Sequence, residues 1–432
     1  MSYQINDTTP ILPAHTLQVE EPVVETRYSK FVKILNTENN WALIIGLSWY
    51  PVIVLTTLWG ITPGHLYRWK DGNIMQTFTP DNIMSFLLIM SFTVLCLWVV
   101  HDFLKVPINM YKYMVVCVIV FASQTVGSFQ VLFNLGLGTA IWCIISGMIF
   151  RLLVPDQVGF MPLEFYIKIS IVLLAVDLRE ILLVGAKSLV VGWAETSVVF
   201  TIVAIFGHYI MKMNIELAAT VAGGLSICGT SAIAAISTVV TVETAESKAL
   251  IFIMSIFTIP LIPLVPIVGD ALHFNNNTLG AWIGGSIDST GAVVASGSLE
   301  NPAVFQTAVI VKMVQNIWIG PMVVIIGIIK FRTFSPFRLW DNFPKFVLGF
   351  LLVGLITTLI PDPLRTQSAA NCFIISEWFS SISFVLIGYG IYVPNILKEL
   401  FKHKKILLLY VIGQSFDLVS TAAVSYLMFT VA

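Results

Sequence analysis

Residues 222–237 read AGGLSICGTSAIAAIS. They hold Gly223, Gly224 and Gly229, hydroxyls at Ser226, Thr230, Ser231 and Ser237, one thiol at Cys228, and no charge. The stretch lies inside a long apolar region. That composition suits a helix that breaks at membrane depth, where non-helical backbone is tolerated only if protein or a water-filled cavity satisfies it. Transporters use such breaks to aim free helix ends at a substrate. The competing explanation is a small-residue contact between two helices.

Composition sets the environment. Of 432 residues, 57% are hydrophobic and only 11% charged, against about 25% charged in soluble domains. This predicts an all-α polytopic membrane protein. A formal net charge of −1 gives no reason to expect nucleic acid. Cys96, Cys117, Cys143, Cys228 and Cys372 show neither metal nor redox spacing and are expected as small core residues. The sequence carries no metalloprotease, nucleophile-elbow, Walker or dinucleotide motif. We therefore expect no enzyme and no cofactor, and a secondary transporter rather than an ATP-driven pump.

A spanning helix needs ~20 apolar residues. About thirteen candidate spans begin near Trp41, Asn82, Tyr111, Phe133, Glu164, Leu189, Glu216, Ser247, Leu279, Val304, Phe346, Cys372 and Ile406, so 11–13 transmembrane helices are expected. The chain divides into a polar N-terminal tail with an amphipathic lead-in (1–40), N-terminal spans (41–130), a transport core with both discontinuous segments (131–330) and C-terminal spans (331–432). Basic residues at Arg27, Lys30 and Lys33, at Lys330, Arg332, Arg338 and Lys345, and at Lys398, Lys402, Lys404 and Lys405 place the tail and both loops in the cytoplasm. Leu153-Val154-Pro155-Asp156 and Leu359-Ile360-Pro361-Asp362 each close a span, an echo that points to an inverted repeat.

A charge at the bilayer centre costs ~2.5–3.5 kcal/mol, so each one needs a reason. Residues 282–297, WIGGSIDSTGAVVASG, form the second candidate break, with Ser286, Ser289, Thr290, Ser296 and one carboxylate, Asp288. Asp288 is read as binding a cation, carrying a proton or anchoring a positive partner. The alternative is a helix cap. Lys312, Gln315 and Asn316 share a helix face. Lys312 is read as pairing with Asp288 or contacting an anionic substrate, with snorkelling as the alternative. Asp177 is read as intramembrane, and Arg179 with Glu180 as an interfacial pair. Glu195, Glu377 and Asp417 are read as span ends or residues of a solvated crevice.

These motifs resemble a known family. AGGLSICGTSAIAA is similar to the SxCGxSAIAA signature of the YeiH-type sulfate-exporter family of bacterial inner-membrane proteins. GGSIDSTGAVVASG is similar to its GxSIHxxxxVVAAG element, and KMVQNIWIGP to its KLxRxxxLxP element. The likeness runs over roughly 136–329. It implies an antiporter-like secondary transporter with inverted repeats and discontinuous helices, exporting sulfate or a related small anion. Two positions depart from the pattern: Asp288 stands at the family's histidine and Gln315 at its arginine. Both changes remove cationic character, and the arginine fork best suited to an oxyanion is lost.

The site expected on these grounds binds the substrate through Ser226, Cys228, Gly229, Thr230, Ser231, Gly285, Ser286, Ser289, Lys312 and Gln315, with Asp288 as the coupling residue. The partners are a small inorganic or organic anion, a coupling proton or sodium, the bilayer and a second copy of the chain. Helix N-termini could add to anion binding. No resident metal is expected; sodium at Asp288 belongs to the alternative, a sodium/proton-type cation antiporter with Lys312 as counter-charge. A third alternative is a non-transporting membrane sensor or scaffold, resting on the polar tail.

Overall fold

Apolar segments with no water to serve their backbone groups have to close their hydrogen bonds internally, and helices do so within one segment. In a computed structural model of the chain, the described residues are 38–63, 74, 78–104, 109–134, 138–154, 163–175, 178–237, 239–242, 244–332, 343–391 and 400–431, and their regular elements are all helical. Among them eight helices are long and apolar enough to cross a membrane. Three shorter apolar helices, Thr139–Leu153, Ile215–Cys228 and Lys345–Leu359, accompany them. The polar tail up to residue 37, most of the 61–81 loop, Pro155, Asp156, Asp177, Arg338 and Lys398 lie outside the described residues, as does the Glu180 side chain.

The surface is apolar where a soluble protein would be polar. Leu88, Trp98, Leu183 and Ile329 are exposed, while Lys312, Asp288 and Asp417 are buried. Such an outward apolar surface suits lipid contact. Helices differ in how far they sit inside the bundle. The apolar windows of Leu364–Tyr389 and Pro302–Phe331 are 72% and 67% buried, whereas that of Asn82–Asp102 is 22% buried. The first two are therefore central and the last peripheral. Four of the five cysteines are buried and all are free thiols.

Both expected breaks are present, and each turns the chain back on itself. The helix Ile215–Cys228 stops at Gly229, and Thr230–Ile236 resumes. The side chain of Ile236 lies over Gly223, 2.1 Å from where a Cβ would stand. The two halves therefore lie side by side as a re-entrant hairpin. The helix Asn276–Ser286 stops at Ile287, and Thr290–Gly297 resumes after Asp288 and Ser289. Gly284 and Gly297 both pack on Ala308 of the helix Pro302–Ile317, so this element is a second hairpin. The close glycine packing weighed as the alternative for the first break is found at both breaks. A Cβ on Gly284 would stand 2.4 Å from the Ala308 carbonyl oxygen, which only glycine permits.

Two further features depart from the spans read in the sequence. The fifth span is a helix of ten residues, Leu163–Val172. It ends in buried, non-helical Leu173, Leu174 and Ala175, with Ala175 at φ 49°. The sixth does not begin at Leu189: helix runs through 178–210, with π-type turns at Val190–Glu195 and Phe206–Ile210.

Candidate functional site

The two hairpin tips meet. A Cβ on Gly229 would stand 3.2 Å from the Asp288 carbonyl oxygen. The chain turns at Gly229 with φ 63° and ψ −118°, a conformation that glycine adopts without steric cost. Carbonyls released at a helix end need donors, and at membrane depth the donors have to come from the protein.

One face of Pro302–Phe331 supplies them. Lys312 is fully buried, and its ammonium donates to Ile227 O at 2.5 Å, Ile287 O at 2.7 Å and Gln315 Oε1 at 2.6 Å. The first oxygen belongs to one tip and the second to the other. An ammonium has three N–H donors, and here each has an acceptor. Gln315 completes the clamp. Its Nε2 lies 2.8 Å from Ser226 O, 3.0 Å from Gly285 O and 3.0 Å from Thr196 Oγ1. The amide orientation follows from the partners, because the flipped amide would set oxygen against oxygen and nitrogen against the ammonium. An arginine at 315 would offer Lys312 no acceptor at all.

Asp288, at the second tip, is 1% exposed. It accepts from Thr258 Oγ1 at 2.5 Å and from Tyr410 Oη at 2.8 Å. The direct Lys312–Asp288 pair expected from the sequence is not made. The lysine's donors go to carbonyls and the aspartate's acceptors go to hydroxyls. Gln414 Nε2 adds a bond to Ser286 O at 2.8 Å.

A cavity opens beside the crossing. It is lined by Cys228, Ser231, Ser289, Thr290 and Gly291 from the tips, by Asn316, and by Glu164 and Lys168 of the helix Leu163–Val172. Ser231 Oγ donates to Glu164 Oε2 at 2.9 Å, and Lys168 Nζ lies 3.3 Å from the same oxygen. Ser289, the N-cap of Thr290–Gly297, makes no side-chain cap bond. The first-turn N–H groups of that helix have no partner within it. Of the residues expected to bind substrate, Cys228, Ser231 and Ser289 line the cavity. Ser226, Gly229, Thr230, Gly285, Ser286, Lys312 and Gln315, with Asp288, do not, although all belong to the two tips or their clamp. The structure adds Glu164, Lys168, Thr290 and Asn316, which the expected substrate set leaves out.

A second carboxyl cluster stands against the other side of the second tip. Glu195 and Asp417 are 5% and 1% exposed, which corrects the expectation of span ends or a solvated crevice. Glu377 is half-buried midway along Leu364–Tyr389. Ser420 Oγ donates to Glu195 Oε1 at 2.6 Å, and Thr421 Oγ1 to Asp417 Oδ1 at 2.9 Å. Glu195 Oε2 and Asp417 Oδ2 are buried and accept no hydrogen bond among the described residues. Thr421 packs on Gly285, which links the cluster to the second tip. The available sequence signal is Asp417, Thr421 and Ser425, four residues apart on one face of the last helix.

A family profile described as conserved hypothetical protein 698 matches residues 112–409, a range that contains both tips, the clamp and the cavity. The chain belongs to this family. It is the YeiH family. Among similar proteins, a UPF0324 membrane protein of Nitratidesulfovibrio vulgaris is 31% identical over 359 residues, covering 76% of this chain and 60% of the relative. The UPF0324 membrane protein RB9488 of Rhodopirellula baltica is 31% identical over 314 residues, covering 68% of this chain and 58% of the relative. UPF0324 membrane protein SpyM3_0740 of Streptococcus pyogenes is 25% identical, covering 61% of this chain and 82% of the relative. The chain thus spans about 60% of the length of the first of these relatives. No solved structure matches. A membrane protein of the UPF0324 family is what the helices and the relatives together establish. In this UPF0324 member the polar centre is the meeting point of two hairpin tips.

Proposed function

We propose that this protein is a secondary active transporter, not an enzyme, that moves a small anion through the cavity at the crossed tips. The observation that carries the reading is the convergence of donors there. The uncapped first turn of Thr290–Gly297, the hydroxyls of Ser231, Ser289 and Thr290, the Asn316 amide and the Lys168 ammonium all border one space, in which Glu164 takes Ser231 and Lys168 in this structure. Helix N-termini aimed at a midplane site are how transporters hold anionic groups. Sulfate or a related sulfur oxyanion is the substrate that the family resemblance favours. Asp288 carries the coupling proton, held between two hydroxyls at the apex of the second tip. We assign the protein to a bacterial inner membrane with its N-terminus cytoplasmic, from the basic loops.

Cation/proton exchange is the second reading. It is favoured by the three buried acids Asp288, Glu195 and Asp417, which stand near Lys312. Thermal shift of purified protein against sulfate, sulfite, small carboxylates, sodium and lithium at two pH values separates the two. A ligand at 100 times its dissociation constant stabilises by ~2.7 kcal/mol. The anion reading expects an oxyanion shift that Lys168→Gln and Asn316→Ala weaken. Shifts by sodium or pH alone, with no oxyanion effect, overturn it. In proteoliposomes, Asp288→Asn is expected to keep oxyanion binding and lose its response to a pH gradient. A variant that still follows the gradient removes Asp288 from coupling.

A further inference from the structure

We infer that Lys312 occupies a site built for a free alkali cation, so that the crossing of the two tips carries its own tethered ion. The inference begins from what surrounds the ammonium. Its three partners are two backbone carbonyls and one amide oxygen, with no carboxylate among them. Carbonyl oxygens are the ligands with which filters replace the hydration shell of an alkali ion. In transporters, unwound carbonyls and the C-terminal ends of half-helices hold sodium. Both features are present here. Ile227 lies in the last turn before Gly229, and Ile287 is the C-cap of Asn276–Ser286. The negative ends of two helices therefore converge on one positive charge.

Lys312 reaches this place from a third element, Pro302–Ile317, and is wholly excluded from solvent. Gln315, on the same face, serves the same two tips, donating toward Ser226 O and Gly285 O. The cage is thus formed by three segments far apart in sequence. Its cation cannot be exchanged for a solute ion, because it is attached to the chain. A crossing held by a tethered ammonium is independent of the sodium concentration. Taken with the transport proposal, on which this consequence rests, coupling through the crossing falls to a proton on the neighbouring carboxyls and not to sodium among the tip carbonyls.

The test is to vacate the cage and offer sodium. Purified Lys312→Ala and Lys312→Ser are melted in sodium chloride and in choline chloride of equal ionic strength. Both are expected to show a saturable sodium-dependent rise in melting temperature of about 3 °C or more, with one equivalent of radioactive sodium bound. The unaltered protein is expected to melt alike in both salts. Lys312→Met, whose stem fills the space without charge, is expected to melt low in both. Variants that melt alike in the two salts overturn the inference, as does failure of both to fold even in sodium. So does a sodium shift of equal size in the unaltered protein or in Lys312→Met. The readout involves no flux. A failed transport assay therefore leaves this test intact, and a failed sodium response leaves the anion-transport reading standing.

Discussion

The two hairpin tips meet at one point but are opened by different means. The first turns at a single residue, Gly229, in a conformation that other residues rarely adopt. The second is open across Ile287, Asp288 and Ser289, none of them glycine or proline. Ile287 and Ser289 have ordinary extended angles, φ −82° with ψ 117° and φ −114° with ψ 128°. Nothing in that backbone requires a break. It is imposed from outside: Lys312 takes Ile287 O, Gln315 takes Gly285 O, Gln414 takes Ser286 O, and Thr258 with Tyr410 hold Asp288. One tip is therefore written into local backbone chemistry, and the other is written into its neighbours.

That contrast can be broken at its shared point first. Lys312→Met orphans a carbonyl on each tip, at ~1–3 kcal/mol for each unsatisfied buried group. With Gln315 also left short, a loss of about 3–5 kcal/mol is expected, seen as a lower melting temperature and faster hydrogen exchange at both tips. Loss confined to one tip would mean that the clamp is not shared. Next, Gly229→Ala forces a side chain into a strained conformation, at ~1–3 kcal/mol, with its Cβ 3.2 Å from Asp288 O. Its exchange signature should begin at the first tip. If Gly229→Ala melts like the unaltered protein, the local account of that tip is wrong.

Smaller effects probe the second tip. Tyr410→Phe and Thr258→Val each remove one donor to Asp288, and each is expected to cost ~1–2 kcal/mol. Either variant should loosen the second tip and leave the first protected. Ser289→Ala is the smallest, within ~0.5 kcal/mol, since Ser289 makes no side-chain cap bond. A large loss there would show that the second tip has a local determinant after all.

Much of this was legible in the chain. Long apolar runs specify helices in a membrane because no other solvent serves the backbone. Gly229 marks its break because only glycine fits the turn. Lys312, Gln315 and Asn316 share a face by helical spacing alone, and the structure puts all three against the tips. Other features were illegible for a physical reason. Whether a broken helix runs on or folds back depends on what packs beside it, here Ile236 on Gly223 and Gly297 on Ala308. Glu195 and Asp417 are far apart in sequence, so the pattern of either span is silent about the other.

The sequence by itself determined the environment, the helical class, the position of both breaks and the charged residues that need a reason. Tertiary structure decided who satisfies whom. It gave Lys312 to the carbonyls and Asp288 to the hydroxyls, turned two interrupted helices into hairpins, and set a cavity with Lys168 beside their tips. The reason is that local sequence fixes which backbone groups are released. Only the packing of distant segments supplies the donors and acceptors that a dry interior demands.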